Sequence, residues 1–137
     1  MRYRLTAVLL ATALSFPALA DFDAGLTAYR VKDFDTAYQA FHQAAIQGDE
    51  TAQFNIGVMY FRGHGVTKDL VKAYSWIELS IQRGNLDNIR ALSALTVKLT
   101  PDQIQAAHEL SAELAAEHGL RYTPPGLSEE EIAIASR

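Results

Sequence analysis

The sequence predicts an all-α protein, a short α-solenoid of about three antiparallel helical hairpins that follows an N-terminal signal peptide. Apolar and small residues recur at helical spacing along the chain, and segments 36 residues apart resemble one another. A period of about 33 to 40 residues is typical of stacked helical hairpins, and about three are needed to bury a continuous core. The matching pairs are Lys32-Asp33 with Lys68-Asp69, Ala37-Tyr38 with Ala73-Tyr74, and Gly48-Asp49 with Gly84-Asn85.

The N-terminal residues have the three parts of a secretory signal peptide. Arg2 and Arg4 precede a twelve-residue apolar run at 5–16, and Ala18-Leu19-Ala20 supplies the small residues of a cleavage site. An uncleaved membrane anchor is the alternative, but a spanning helix needs about 20 apolar residues. We therefore expect three regions, which are a signal peptide at 1–20, a helical repeat domain at 21–119 and an acidic, flexible tail at 120–137.

Composition limits both the fold and its partners. The chain has no cysteine, so no disulfide can support an exported fold and helix packing must hold it together. The formal net charge of −4 becomes −6 when Arg2 and Arg4 are removed. This acidity argues against nucleic acid or an anionic membrane surface as the main partner. We expect a monomer that binds a protein or peptide and does not insert into the membrane after cleavage.

Capping residues and periodicity place six helices. Asp33, Asp49 and Asp69 suit helix starts, because a carboxylate can accept hydrogen bonds from the first free amides. The last helix has a capping box, with Thr100 as N-cap and Gln103 three residues later. The predicted helices span 22–31, 34–47, 50–62, 69–83, 86–98 and 101–118.

The best-marked hairpin lies between residues 52 and 84. Its first helix ends at Gly63 and Gly65, which can reach positive φ without a Cβ clash and so reverse the chain. Its second helix begins near Asp69 and turns Ala73 and Trp76 inward. The repeat-defining positions are Ala52, Ile56, Gly57, Tyr60, Gly63, Gly65, Val66, Asp69, Ala73, Trp76 and Gly84.

These positions resemble the Sel1-like repeat, a relative of the tetratricopeptide repeat. In that family an Ala…Leu-Gly…Tyr helix, a Gly-x-Gly-Val loop and a Lys-Ala…Trp helix form one unit. The chain departs from the pattern at Ile56, where leucine is usual, and at Ser80-Ile81, where alanines are commoner. Such repeats are scaffolds. Together with the signal peptide, the resemblance implies a non-catalytic interaction protein that is exported to the periplasm or secreted.

The resemblance also implies that the first helix of each hairpin lines a concave side that meets the partner. Aligning the hairpins places Arg30, Arg62 and Lys98 in one column, beside aromatic and apolar columns. A repeated cation suits an extended acidic segment or a chain carboxylate. The alternative is that each cation only stabilises the last turn of its own helix. The candidate binding residues are Phe54, Val58, Phe61, Arg30, Arg62, Arg90 and Lys98.

No motif for catalysis or cofactor binding stands out. The sequence has no Cys/His metal spacing, no phosphate-binding glycine loop and no Gly-x-Ser-x-Gly elbow, and its four histidines do not cluster. We therefore expect no cofactor, no metal and no catalytic residue. Two alternatives stay open. One is a hydrolase, because some cysteine-rich Sel1-like proteins have been proposed to hydrolyse β-lactams, although this chain lacks their cysteines. The other is a structural or assembly role in the cell envelope.

We predict that the exported protein begins at Asp21, because the cleavage site ends at Ala20. Intact-mass measurement on the protein recovered from the envelope fraction checks this. A species that still carries residues 1–20 would contradict it.

Overall fold

A computed structural model describes residues 22–126 of the protein; the signal peptide predicted at 1–20 and the end of the predicted tail, 127–137, lie outside the described residues. The described part is all-α, which confirms the predicted fold class. Within it, no helix is both long and apolar enough to cross a membrane. The helices are α1 (Phe22–Arg30), α2 (Phe34–Ile46), α3 (Glu50–Arg62), α4 (Leu70–Leu79), α5 (Leu86–Thr96) and α6 (Pro101–His118).

Helix starts follow from capping chemistry that the sequence already shows. The carboxylates of Asp49 and Asp69 accept hydrogen bonds from the amides of Ala52 and Lys72, at 2.8 and 3.0 Å. At the start of α6, the hydroxyl of Thr100 and the side chain of Gln103 form both bonds of the predicted capping box. These bonds satisfy amides that have no partner within the helix.

Two helices end two or more residues earlier than the sequence pattern predicts. α4 ends at Leu79 rather than residue 83, because the hydroxyl of Ser80 donates to the carbonyl of Ile77 at 2.7 Å and the Ser80 amide bonds to the same carbonyl. α5 ends at Thr96 rather than residue 98, where the Lys98 amide bonds to the carbonyl of Leu95. Bonds to the residue three positions earlier tighten a last turn and stop α-helical geometry.

The helices pack mainly against their neighbours in the chain, and α4 packs against both α5 and α6. The first core joins helices α1, α2, α3 and α4 with Ala115 of α6, and it includes Phe41, Ile56 and Trp76, which is 3% exposed. The second core joins α4 to α5 and α6 around Ile77 and Leu95. The inward position predicted for Trp76 is therefore confirmed. The edge of the Trp76 ring meets His42 of α2, with 5.8 Å between ring centroids.

The glycine loop between α3 and α4 also contacts the first hairpin. Gly63 and Gly65 both have φ of +69°, as the sequence predicts, and Gly65 lies against the backbone of Phe34. His64, between them, stacks on the Phe34 ring at 4.1 Å, and its Nδ1 lies 2.9 Å from the hydroxyl of Tyr29. The loop therefore joins the first two hairpins as well as reversing the chain.

We predict that Gly65→Ala destabilises the protein more than Gly84→Ala. Both glycines have positive φ, so each alanine costs about 1–2 kcal/mol of backbone strain. A Cβ at Gly65 would also lie 2.6 Å from the carbonyl oxygen of Phe34, whereas one at Gly84 would meet nothing within 4 Å. The backbone shift at Gly65 should add about 1–3 kcal/mol. Urea unfolding measures the difference, and equal losses for the two variants would contradict this contact.

Candidate partner-binding face

Three helices, α1, α3 and α5, line two neighbouring grooves. The α3–α5 groove encloses about 200 Å³, and its floor is Ile77 of α4. Apart from Lys98 at its edge, its lining side chains are apolar. They are Phe54, Val58, Phe61, Ile77, Ala91, Ala94, Leu95 and Lys98.

The α1–α3 groove lies on the other side of α3 and encloses about 330 Å³. Phe54 and Val58 line both grooves, so that α3 forms a ridge between two adjoining depressions. We call this surface the groove face. The lining residues of the α1–α3 groove are Leu26, Tyr29, Phe41, Phe54, Asn55, Val58 and Arg62.

The structure brings five of the seven candidate binding residues to the grooves. Phe54, Val58 and Phe61 form the α3 ridge, while Arg62 lines the α1–α3 groove and Lys98 lines the α3–α5 groove. The other two, Arg30 and Arg90, do not line either groove. Arg30 is exposed at the end of α1. Arg90 is exposed and pairs with Asp87 on its own helix at 3.2 Å, which accounts for its charge without a partner protein.

The column of Arg30, Arg62 and Lys98 places positive charge at the C-terminal ends of α1 and α3 and just beyond α5. All three side chains are exposed, and none forms an ion pair with another residue in 22–126. Close by, the ammonium of Lys68 lies 5.6 Å from the centre of the Phe61 ring, a cation–π contact. Positive charge therefore gathers at one end of the groove face.

A buried carboxylate is the feature that the sequence reasoning missed. Glu78 of α4 is 5% exposed, and Nδ1 of His108 on α6 lies 2.7 Å from its Oε1. Its Oε2 accepts hydrogen bonds from the hydroxyls of Ser111, at 2.6 Å, and Tyr122, at 3.2 Å. The only signal in the sequence was that Glu78 is an acidic residue between two apolar residues, Ile77 and Leu79. Its neighbours in the second half of α4 are buried around most of the helix.

These groups form a hydrogen-bond network that joins α4 to α6 and to Tyr122. The hydroxyl of Ser111 donates to Glu78, not to His108, so the imidazole is not placed to take its proton as a general base would. Burial raises the pKa of the Tyr122 hydroxyl, and the charge of Glu78 raises it further. Burial first, and then Glu78, also raise the pKa of Tyr74. Both phenols therefore stay protonated at neutral pH, and Tyr122 keeps its proton to donate.

The network also holds the first residues after α6. The Leu120 amide donates to the carbonyl of Ala115, and the Thr123 amide donates to the side chain of Gln82 at 2.9 Å. With Tyr122 bound to Glu78, residues 120–123 lie against α4 and α6. Contacts with α4 and α6 therefore continue past residue 119, as far as Thr123.

Among residues 22–126, no group of three or more His, Asp or Glu side chains could hold a metal ion. His42 is representative of the isolated histidines. It stacks on Tyr38, with 5.5 Å between ring centroids, and burial lowers its pKa, with the charge of His118 as a second cause. A neutral imidazole between aromatic rings is accounted for by packing.

The Sel1 repeat model matches residues 51–85, which contain α3 except its first residue, the glycine loop and α4. The resemblance seen in the sequence is therefore confirmed for this hairpin. Among solved structures, a protective antigen of uropathogenic Escherichia coli that displays an SLR fold superimposes with a TM-score of 0.68 at 27% identity. The match covers 84% of this chain and 24% of that one.

Three curated proteins match shorter stretches. HcpC of Helicobacter pylori, whose name proposes a beta-lactamase, is 40% identical over 48 residues, 35% of this chain and 17% of HcpC. A sel1-like repeat-containing protein of Acanthamoeba polyphaga mimivirus is 45% identical over 42 residues, 31% of this chain and 7% of that protein. An uncharacterized protein of Neisseria meningitidis serogroup B is 29% identical over 82 residues, 56% of this chain and 18% of that protein. The chain spans less than a fifth of the length of each.

We predict that Glu78→Gln destabilises the fold by about 2–3 kcal/mol, because an amide has one acceptor oxygen for three donors and a hydrogen bond to a charged group is worth about that much. Glu113→Gln, the same change at an exposed position of α6, should stay within about 0.5 kcal/mol of the parent protein. Urea unfolding at neutral pH measures both. A Glu78→Gln variant as stable as Glu113→Gln would show that the buried carboxylate is not needed.

Proposed function

Since the chain contains a Sel1 repeat within an all-α solenoid, we propose that it is an exported, non-catalytic scaffold that binds a protein partner through the groove face. The observation that supports this most directly is the pair of adjoining grooves on either side of α3. Their shared ridge of Phe54 and Val58 is half-buried in the free chain, so a partner can still remove it from water.

The chemistry of the grooves suits protein recognition. Aromatic and aliphatic side chains that bury fully on binding supply most of the free energy at interfaces, and charged groups at the rim supply orientation. The α3–α5 groove has this composition, with Phe54 and Phe61 inside and Lys98 at the edge. Its volume of about 200 Å³ is below the usual range for a small-molecule site, which favours single side chains of a partner.

Export is part of the proposal, and its support lies in the sequence. The charged start, apolar run and small-residue site at 1–20 are those of a signal peptide. The chain has no cysteine, so in an oxidising compartment it folds without forming disulfides. We place the protein in the periplasm or outside the cell on this basis.

A hydrolase is the second candidate, and the name of HcpC is the observation that favours it. The match covers only 17% of HcpC, and this chain has no cysteine. The Ser111 hydroxyl, which donates to Glu78, is fully buried, so a substrate in solution does not reach it. Incubating the purified protein with a chromogenic cephalosporin decides between the two, because turnover above the buffer rate would support the hydrolase and argue against a purely binding role.

The groove face is tested with paired charge substitutions in a bait protein. Val58→Glu and Ala94→Glu each place a carboxylate in a groove lining, whereas Val31→Glu places it at a side chain that is 72% exposed in the turn after α1. We expect partner recovery from the envelope fraction, quantified by mass spectrometry, to fall about tenfold for both groove variants and to be unchanged for Val31→Glu.

Circular dichroism melting accompanies each bait. Ala94 is exposed, so its variant should remain folded even if Val58→Glu loses stability. Recovery of the same proteins in the same amounts by the parent, Ala94→Glu and Val31→Glu baits would refute binding through the groove face.

A further inference from the structure

The cation row, which we define as Arg30, Arg62 and Lys98, lies at the C-terminal ends of α1 and α3 and just beyond α5, with Arg62 and Lys98 lining the grooves. Each residue closes the first helix of a hairpin or lies just beyond it, so the three occur at equivalent ends of α1, α3 and α5. All are exposed and without an ion pair among the described residues. This row is an unusual feature in a chain whose formal net charge is −4.

At two of the three hairpins, the acidic residue that follows the cation in the sequence accepts a hydrogen bond as a helix cap. The carboxylate of Asp33, after Arg30, caps α2, and that of Asp69, after Arg62, caps α4. At the third hairpin the cap is the neutral Thr100. Lys98 is therefore followed by a neutral cap, and both Lys98 and Phe61, whose ring Lys68 contacts, line the α3–α5 groove.

The helix dipole accounts for part of the row but not for Lys98. Arg30 and Arg62 lie in the last turns of α1 and α3, where a cation is favourable without any partner. α5 ends at Thr96 with Val97 as its cap, and no basic residue lies in its last turn. Lys98 is beyond that turn and lines the α3–α5 groove instead. Its position is therefore best explained by the groove.

We propose, building on the proposed function, that the partner presents an extended acidic segment to the groove face. Apolar side chains of the segment enter the two grooves, and its carboxylates lie against the cation row. Charge complementarity supports this choice, since the opposite end of α5 holds the Arg90–Asp87 pair, which is already neutral.

The distance between the grooves sets the spacing of such a segment. The grooves lie on either side of α3, so their centres are separated by about one helix diameter, roughly 10 Å. Three residues of extended, polyproline II-like chain advance about 9 Å and return a side chain to the same face. The segment therefore carries apolar residues three positions apart, with Asp or Glu between or beside them.

The test is selection of phage-displayed random dodecapeptides on the exported protein at low salt, followed by titration of the enriched peptides. We expect enriched peptides to be acidic, with apolar residues three positions apart, and to lose affinity as salt rises. Lys98→Glu should weaken their binding about tenfold. Lys72→Glu, the same change at an exposed lysine of α4 that lines neither groove, should leave the affinity within a factor of about two.

The outcomes separate this inference from the proposed function. The inference of an acidic partner would be overturned by any of three results: enriched peptides without acidic bias, no enrichment at all, or an affinity that Lys98→Glu does not change. If such binding is still abolished by Ala94→Glu, the groove face stands as the binding surface. If neither Lys98→Glu nor Ala94→Glu changes the affinity for the peptides, the proposed function is contradicted as well. Two further results would show that the chain itself occupies the groove face and would overturn the inference. One is a peptide of residues 127–137 that competes more strongly than any selected peptide. The other is self-association of the chain in sedimentation that Lys98→Glu abolishes.

Discussion

The close approach of α3 to α4 at Gly57 is the contact on which the rest of the structure depends. A Cβ at this position would lie 2.5 Å from Cγ1 of Ile77 and 3.0 Å from the carbonyl oxygen of Ala73, so only glycine allows the two backbones this distance. The contact turns Ile77 toward α5, where it becomes the floor of the α3–α5 groove. Trp76, its neighbour on the helix, is thereby turned into the first core. One glycine therefore separates the two cores and shapes the binding surface.

Sequence reasoning succeeded where the determining chemistry is local. Helix starts depend on a capping side chain two or three residues away, and helical spacing places Phe54, Val58 and Phe61 on one face of α3. Glu78 could not be found in this way. Its partners His108, Ser111 and Tyr122 lie 30, 33 and 44 residues further along the chain, and a buried acid is acceptable only once they are folded against it. The early ends of α4 and α5 were missed because a single serine hydroxyl or tightened turn decides them.

The protein uses charge in two different ways. Glu78 is taken out of water and satisfied by three donors, so that its value lies in fixing the positions of α4, α6 and residues 120–123 relative to each other. The cation row stays in water, where each charge contributes little to stability and much to the potential that an approaching molecule meets. The buried charge therefore joins elements within the domain, and the exposed charges act on molecules outside it.

The return of the chain at Tyr122 has a consequence for the size of the solenoid. A repeat array grows when the chain leaves its last helix outward and begins another unit on the exposed side. Here the residues after Gly119 turn back, and Tyr122 reaches the Glu78 carboxylate while Thr123 bonds to Gln82. Inserting another hairpin at Gly119 would pull that tyrosine away from the buried acid. An insertion at this point would therefore leave the Glu78 carboxylate without one of its three donors.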